Sequence, residues 1–278
     1  MLSRIRRAAV LTATVVVAVG IAPALTSPAT AGPDGQHLAY GPSDPYEDAM
    51  MPWHGPVEPM VNQAAIDRTE YGYMYLGGQQ NNHLTVTYTT DGRLRYADTG
   101  TLAWKRLAAG CVAEPATVGV SATCPVPAET GTSDALLLEV QVRLGNDFID
   151  TRTLPSMFEA AVLGDVGKDV IFTGAGNDYI TGAQDNDRIN GGAGSDWLRS
   201  GIGDDVIVGG AGNDWLVGNQ QSDRIYGNAG DDAIYGSEDN DFLYGGTGTD
   251  RIYGGPGTDA ATMSATSRAW TCEGTTVS

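Results

Sequence analysis

The chain has 278 residues, 38 of them glycine, and only 41% are hydrophobic; with no strict three-residue glycine period, this excludes a helical bundle and collagen and leaves a turn-dense β architecture. Sixteen Lys and Arg against 34 Asp and Glu give a net charge of −18, a field that repels phosphate backbones and anionic lipid heads and draws divalent cations. Nucleic acid is therefore not an expected partner.

The first 31 residues read as a secretory signal peptide. Arg4, Arg6 and Arg7 form a basic start, Ala8 to Ile21 an apolar stretch too short for a comfortable bilayer span, and Ala29-Thr30-Ala31 a small-residue cleavage site. Removing this segment takes away arginines and no acids, so the mature chain is more acidic still, secreted, and without a membrane span. Residues 32–69 form a Pro-rich extended linker broken at Gly41-Pro42, Asp44-Pro45, Met51-Pro52 and Glu58-Pro59.

Residues 70–163 read as a small all-β domain, a meander or sandwich. Alternation runs through Tyr71/Tyr73/Tyr75, Leu84/Val86/Tyr88 and Leu94/Tyr96, with Asp91-Gly92 as a hairpin turn, and a strongly apolar run spans Leu136 to Leu144. Export permits disulfides. Cys111 and Cys124 enclose twelve residues between two apparent strands and are expected to pair, a loop closure of roughly 3 kcal/mol in the chain-entropy model. That leaves Cys272 over.

From Gly164 the sequence repeats every nine residues. Eleven units begin at Gly164, Thr173, Gly182, Gly191, Ser200, Gly209, Gly218, Gly227, Gly236, Gly245 and Gly254 without an insertion. Position six is always aspartate: Asp169, Asp178, Asp187, Asp196, Asp205, Asp214, Asp223, Asp232, Asp241, Asp250 and Asp259. Position eight is Ile or Leu in ten units and Ala261 in the last. Self-similarity of this kind marks a solenoid.

GGAGSDWLR, GGAGNDWLV and GGTGTDRIY resemble the G-G-x-G-x-D-x-U-x nonapeptide of the RTX (repeats-in-toxin, hemolysin-type) calcium-binding proteins. The preceding meander also resembles segments found before such repeats in secreted actinobacterial proteins. The resemblance implies an all-β fold with a right-handed parallel β-roll over residues 164–262, in which residue n stacks on residue n+18. It also implies Ca²⁺ ions bridging the aspartates of successive coils, with further ligands from glycine-loop carbonyls near Gly174, Gly176, Gly192, Gly194, Gly210, Gly212, Gly246 and Gly248. Residues 263–278 are left as a C-terminal cap or tail.

Elementary chemistry supports the same reading. Glycine-rich turns supply the positive-φ conformations of a tight corner, and each x-U-x triplet gives a short strand with its middle side chain inward. Stacking lines up Asp169, Asp187, Asp205, Asp223, Asp241 and Asp259 on one edge and Asp178, Asp196, Asp214, Asp232 and Asp250 on the other. Carboxylates at that spacing repel, and a hard cation taking six to eight oxygens relieves them; calcium suits such a site better than the smaller, more strongly hydrated magnesium. The first edge departs from the glycine pattern at Asp185, Gln221 and Asp239; Asp tolerates a left-handed backbone better than most residues but Gln does not, so strained backbone is expected at Gln221.

Catalytic signatures are missing from the sequence. His37, His54 and His83 form no H-E-x-x-H, and no G-x-S-x-G occurs. Glu70, Asp91, Asp98 and Glu139 make no recognisable constellation and read as solvated strand-edge charges. Tyr179, Trp197 and Trp215 at position seven, with Tyr226, Tyr235, Tyr244 and Tyr253 at position nine, form outward aromatic columns suited to sugar rings, to a protein partner, or simply to packing. The sequence therefore points to a secreted, non-enzymatic calcium-binding protein. An alternative stays open, a hydrolase or a carbohydrate- or cell-wall-binding protein with its site in residues 70–163 and the roll as export and stability module, as does an extracellular glycan or protein partner.

Overall fold

In the computed structural model, residues 60–69, 72–126, 136–272 and 274–277 are described, and they contain strands and turns but no helix. The signal peptide and most of the linker lie outside this range, as does Glu70. The N-terminal strands are β1 (Gln63–Arg68), β2 (Gly72–Leu76), β3 (His83–Tyr88), β4 (Arg93–Asp98), β5 (Ala103–Leu107), β6 (Val112–Glu114) and β7 (Val120–Pro125). Then come β8 (Leu136–Gln141), β9 (Phe148–Asp150), β10 (Phe158–Val166), β11 (Val170–Phe172), β12 (Tyr179–Gln184), β13 (Arg188–Ala193), β14 (Trp197–Ile202) and β15 (Val206–Ala211). The chain continues through β16 (Trp215–Gln220), β17 (Arg224–Ala229), β18 (Ala233–Ser237), β19 (Phe242–Thr247), β20 (Arg251–Tyr253), β21 (Ala260–Met263), β22 (Arg268–Trp270) and β23 (Gly274–Val277).

From β8 onward, even-numbered strands form one parallel sheet and odd-numbered strands the other. The register is n to n+18 throughout the repeats, as in Ile180↔Leu198 and Ile189↔Ile207. This is a parallel β-solenoid of about eight turns over residues 136–270. Strands are longer than the x-U-x triplet suggests. Most cover positions seven to nine and then one to three of the following unit, so the ladder carries through the glycines before the turn breaks it.

Nor does the ladder begin at Gly164. β8 and β9 already pair in parallel with β10 and β11, and β2 and β3 pair in parallel with β8 and β9. Beyond β2 and β3 antiparallel pairing enters both sheets: β1 folds back on β2 and carries β5 parallel at its outer edge, and β4, β7 and β6 continue antiparallel from β3. The Asp91-Gly92 hairpin joins β3 to β4 with Gly92 at φ 77°. Cys111 and Cys124 form the expected disulfide, with Cα atoms 4.1 Å apart. At the other end, β22 and β23 add one further strand to each sheet and leave both ladders open on their outer side among the described residues.

Every inward side chain at position eight is stacked on its equivalent one coil away. One file runs Tyr75, Val140, Val162, Ile180, Leu198, Leu216, Ile234 and Ile252, and the other runs Leu84, Ile149, Ile171, Ile189, Ile207, Ile225 and Leu243. All of these are essentially inaccessible to solvent and belong to a single core cluster that extends into the antiparallel strands. Because the files are one residue wide, a truncation has no second layer to relax into. Ile207→Ala is therefore expected to lower the stability of the calcium-loaded protein by about 2–5 kcal/mol, whereas Ile202→Ala, on the exposed side, should cost within about 0.5 kcal/mol. Urea denaturation of the two variants checks this.

Candidate metal centre

The aspartates line up in two rows with the n to n+18 spacing expected from the sequence, and they are buried. All eleven repeat aspartates are at most 3% exposed. On the first edge, Oδ1 of Asp187 accepts the backbone N–H of Asp169 at 2.8 Å, and the pattern repeats through Asp205, Asp223, Asp241 and Asp259. On the second edge the same bonds join Asp178, Asp196, Asp214, Asp232 and Asp250. Each carboxylate thus ties its own coil to the one before it through one oxygen.

The other oxygen is left over. Oδ2 of Asp169, Asp178, Asp187, Asp196, Asp205, Asp214, Asp223, Asp232 and Asp241 is buried with no hydrogen-bond partner. In each turn it folds back over the first residue, and a Cβ at Gly182, Gly191 or Gly218 would overlap it. That favours glycine at position one, although two units place the small hydroxyl residues Thr173 and Ser200 there, each donating to a carbonyl of the next coil. Leaving an ionised oxygen buried and unpaired costs several kcal/mol, so the rows demand either a proton or a cation. The charge preference follows: burial raises the carboxyls of Asp169, Asp196 and Asp223 to about 8 and those of Asp178, Asp187, Asp232 and Asp241 to about 7, against the backbone hydrogen bonds that pull them down. Asp214 is raised to about 6 for the same reason.

The remaining candidate ligands are the glycine carbonyls. Those of Gly174, Gly176, Gly192 and Gly194 point along the solenoid axis at the next coil, so that a Cβ at Gly192, Gly194, Gly210 or Gly212 would strike them. Gly246 has a positive φ of 101° over the Asn228 carbonyl, and the Gly248 carbonyl is closed off by the hydroxyls of Ser264 and Thr266 at 2.8 and 2.9 Å. No group of three or more His, Cys, Asp or Glu side chains converges among the described residues. An ion here would take at most paired carboxylates and complete its shell from backbone oxygens, a donor set that fits calcium.

The two edges differ in the backbone they require. On the first edge, positive φ falls on Asp165, Ala183, Asp185, Asn219, Gln221, Ser237 and Asp239; among the repeats of the second edge it falls on a single non-glycine, Asn228. Gln221, at φ 73°, has no local hydrogen-bonding excuse of the kind Asn and Asp possess.

The family model for the RTX calcium-binding nonapeptide repeat matches residues 163–198, 199–234 and 226–260. Residues 163–260 are RTX calcium-binding repeats. No curated protein matches the chain.

Several positions that extend or close the rows escaped the sequence reading. Asp147 extends the first aspartate row: its backbone N–H donates to Asp169 Oδ1 at 2.8 Å, and its own Oδ2 is buried and unpartnered. Gly145-Asn146-Asp147-Phe148-Ile149 is the repeat signature at positions four to eight, displaced because Asp147 lies 22 rather than 18 residues before Asp169. The row ends at Asn82, whose N–H donates to Asp147. The second row ends at Ser267, whose hydroxyl donates to Asp250 Oδ2 at 2.9 Å while accepting its N–H, and its other end stops at Ala160. Neutral groups therefore close three of the row ends.

Asp98 is not the solvated charge expected of it. It is fully buried, accepting hydrogen bonds from the Tyr75 and Thr101 hydroxyls and from the N–H groups of His83 and Gly100. Glu139 is half-buried with its carboxyl raised by burial, while Asp91 is exposed. His83 lies against Phe148 with ring centroids 4.4 Å apart. The aromatic columns are largely self-stacked: Tyr179 on Trp197, Trp215 on Tyr235, Tyr235 on Tyr253, and Tyr253 on Trp270, with centroids 4.5–4.9 Å apart. Rings such as Tyr235 and Tyr253 have both faces covered and offer none to a sugar.

Two expectations follow. Gln221→Gly should stabilise the protein by about 1–3 kcal/mol through relief of left-handed strain, while Gly212→Ala, which meets the Gly194 carbonyl, should prevent the roll from closing; thermal melts of both variants in calcium decide the point. In chelator, carboxyls whose pKa is higher folded than unfolded contribute most below about pH 4, and that contribution is lost as pH rises through 7–8. The calcium-free protein should melt at a higher temperature at pH 5 than at pH 8, and a melting temperature that rises with pH in chelator would refute the protonation argument.

Proposed function

We propose that this is a secreted protein whose RTX roll folds by taking up Ca²⁺ between stacked turns, with Asp147 and the eleven repeat aspartates as side-chain ligands and the turn carbonyls completing the shell. The observation that carries the reading is the double row of buried, unpartnered Oδ2 atoms. Residues 164–262 hold 17 acidic and 5 basic residues, so without cations the repulsion opposes collapse. In the calcium-poor cytosol the chain stays open for export, and extracellular calcium near ~10⁻³ M folds it. The role proposed is folding and binding outside the cell, not catalysis; the buried acid of the N-terminal strands, Asp98, is spent on structural hydrogen bonds.

Circular dichroism at pH 7.5 tests this directly. The protein in chelator should show β signal from the antiparallel strands alone and gain the rest on calcium addition, together with a change in tryptophan emission, since Trp197 and Trp215 adjoin Asp196 and Asp214. A full β spectrum in chelator sinks the proposal. The unequal backbone strain of the two edges gives a second test: Asp214→Ala, on the glycine-regular edge, should raise the calcium midpoint for folding more than Asp223→Ala, and equal or reversed midpoints would show that strain does not set affinity.

A further inference from the structure

The last coil leaves backbone groups, core and one aromatic face uncovered. Ile252 is fully buried, whereas Ala269, the next place in the same inward file, is partly exposed. The Arg268 N–H donates to Asp250 and the Trp270 carbonyl accepts from Gly254, so both point back at β20. Strand alternation then turns the N–H and C=O of Ala269, between them, to the outer side. In the other sheet the Gly274 N–H donates to Asp259, which leaves the backbone of Thr275 facing outward in the same way.

Arg268 and Trp270 stand on the outer face of β22, because Ala269 between them follows Ile252 inward. Tyr253 covers the face of Trp270 that looks back along the roll, with ring centroids 4.6 Å apart. The other indole face therefore looks past the last strand. Arg268 is exposed and pairs with Arg251 in the β20–β22 register, like charge beside like charge. A single antiparallel strand centred on Ala269 answers all of these at once if that strand is a second β22.

We propose that two copies of the chain join tail to tail through β22, about a two-fold axis at Ala269. Each Ala269 then donates to and accepts from the other, forming a hydrogen-bonded pair. The flanking pairs, Arg268 of one copy with Trp270 of the other, are of the non-hydrogen-bonded kind, whose Cα atoms approach to ~4.5 Å. Each guanidinium thus reaches the open indole face, cation on ring. Charge selects this occupant: a parallel copy would set Arg268 opposite Arg268, and a head-to-tail copy would set it against β5, the strand at the other end of the same sheet, which carries Lys105 and Arg106. A coil end of about 20 by 20 Å, from ~3.3 Å per residue and sheets ~10 Å apart, buries on the order of 800 Å² in the pair, short of the ~1,200 Å² of stable complexes. The dimer is therefore a reversible one. It rests on the proposed folding reading only in needing the roll folded in calcium.

Sedimentation velocity of the full chain in calcium, across ~1–500 μM protein, tests this, with circular dichroism of the same samples. A monomer–dimer equilibrium that stops at the dimer is expected. Ala269→Pro removes only an outward donor, since the ladder to β20 uses the Arg268 N–H and the Trp270 carbonyl; it should weaken association about tenfold or more with the β spectrum kept. Arg268→Gln should weaken association about fivefold through the loss of two symmetric contacts, and it decides the point if the proline variant does not fold. Lys105→Glu, on β5, should leave association unchanged. A monomer at every concentration with the β spectrum intact, a mass that grows past the dimer, a folded Ala269→Pro or Arg268→Gln variant that associates as well as the parent, or a loss of association in Lys105→Glu overturns the proposal. A parent sample without its β spectrum in calcium counts against the folding reading instead.

Discussion

One interaction organises the molecule: a carboxylate buried at every turn, bonded to the neighbouring coil through one oxygen and unpartnered through the other. Two such charges at the ~4.8 Å strand spacing repel by about 3–4 kcal/mol at an effective dielectric of 20, and each row holds at least five of them. The same groups that lace the coils together therefore drive them apart until their charge is removed. A proton can do this for one carboxylate at a time, at the cost of acidic conditions. A divalent cation does it for two coils at once and turns the repulsion into a bridge.

The glycines follow from that requirement. At the glycines of position one a Cβ would crowd the inward oxygen, only Thr173 and Ser200 standing there instead, and at the glycines of positions two and four it would strike the carbonyl of the coil beneath. Where the first edge places Gln221, Asp239 or Ala183 at these corners, the backbone still adopts positive φ, so geometry is preserved and strain is accepted. The antiparallel N-terminal strands need none of this. Their core of Tyr75, Tyr96, Leu84 and Val86 is fully buried, they carry the disulfide, and they present β2 and β3 as ready-made edges on which the first coils pair.

Much of the roll was legible because its period is rigid: an aspartate and an aliphatic residue at fixed phase identify both rows and both core files. Asp147 was hidden by an insertion of a few residues between β9 and β10 that moved it out of phase, although its G-N-D-F-I context still bears the pattern. Val140 and Val162 sit in coils without repeat glycines, so nothing local separates them from an ordinary strand. Period-two alternation in Tyr73/Tyr75 and Leu84/Val86 is the same for parallel and antiparallel partners, so the parallel pairing of β2 and β3 with the first coils was not visible in it. Asp98 was misread for a related reason. Its partners Tyr75, His83 and Thr101 come from three different segments, and burial of a strand-end carboxylate is a property of the assembled sheets.

The central claim is that the unpartnered carboxylate oxygens are cation ligands. Anomalous diffraction from crystals of the full chain grown in calcium measures this most directly. The account predicts two files of peaks, one along each edge, each within about 2.3–2.6 Å of an Oδ2 from the aspartate rows and beginning beside Asp147 on the first edge. Carboxylates found in the same hydrogen-bonded rows with no density at Oδ2, or calcium bound only at the exposed acids such as Asp185, Glu238 and Asp239, would contradict it.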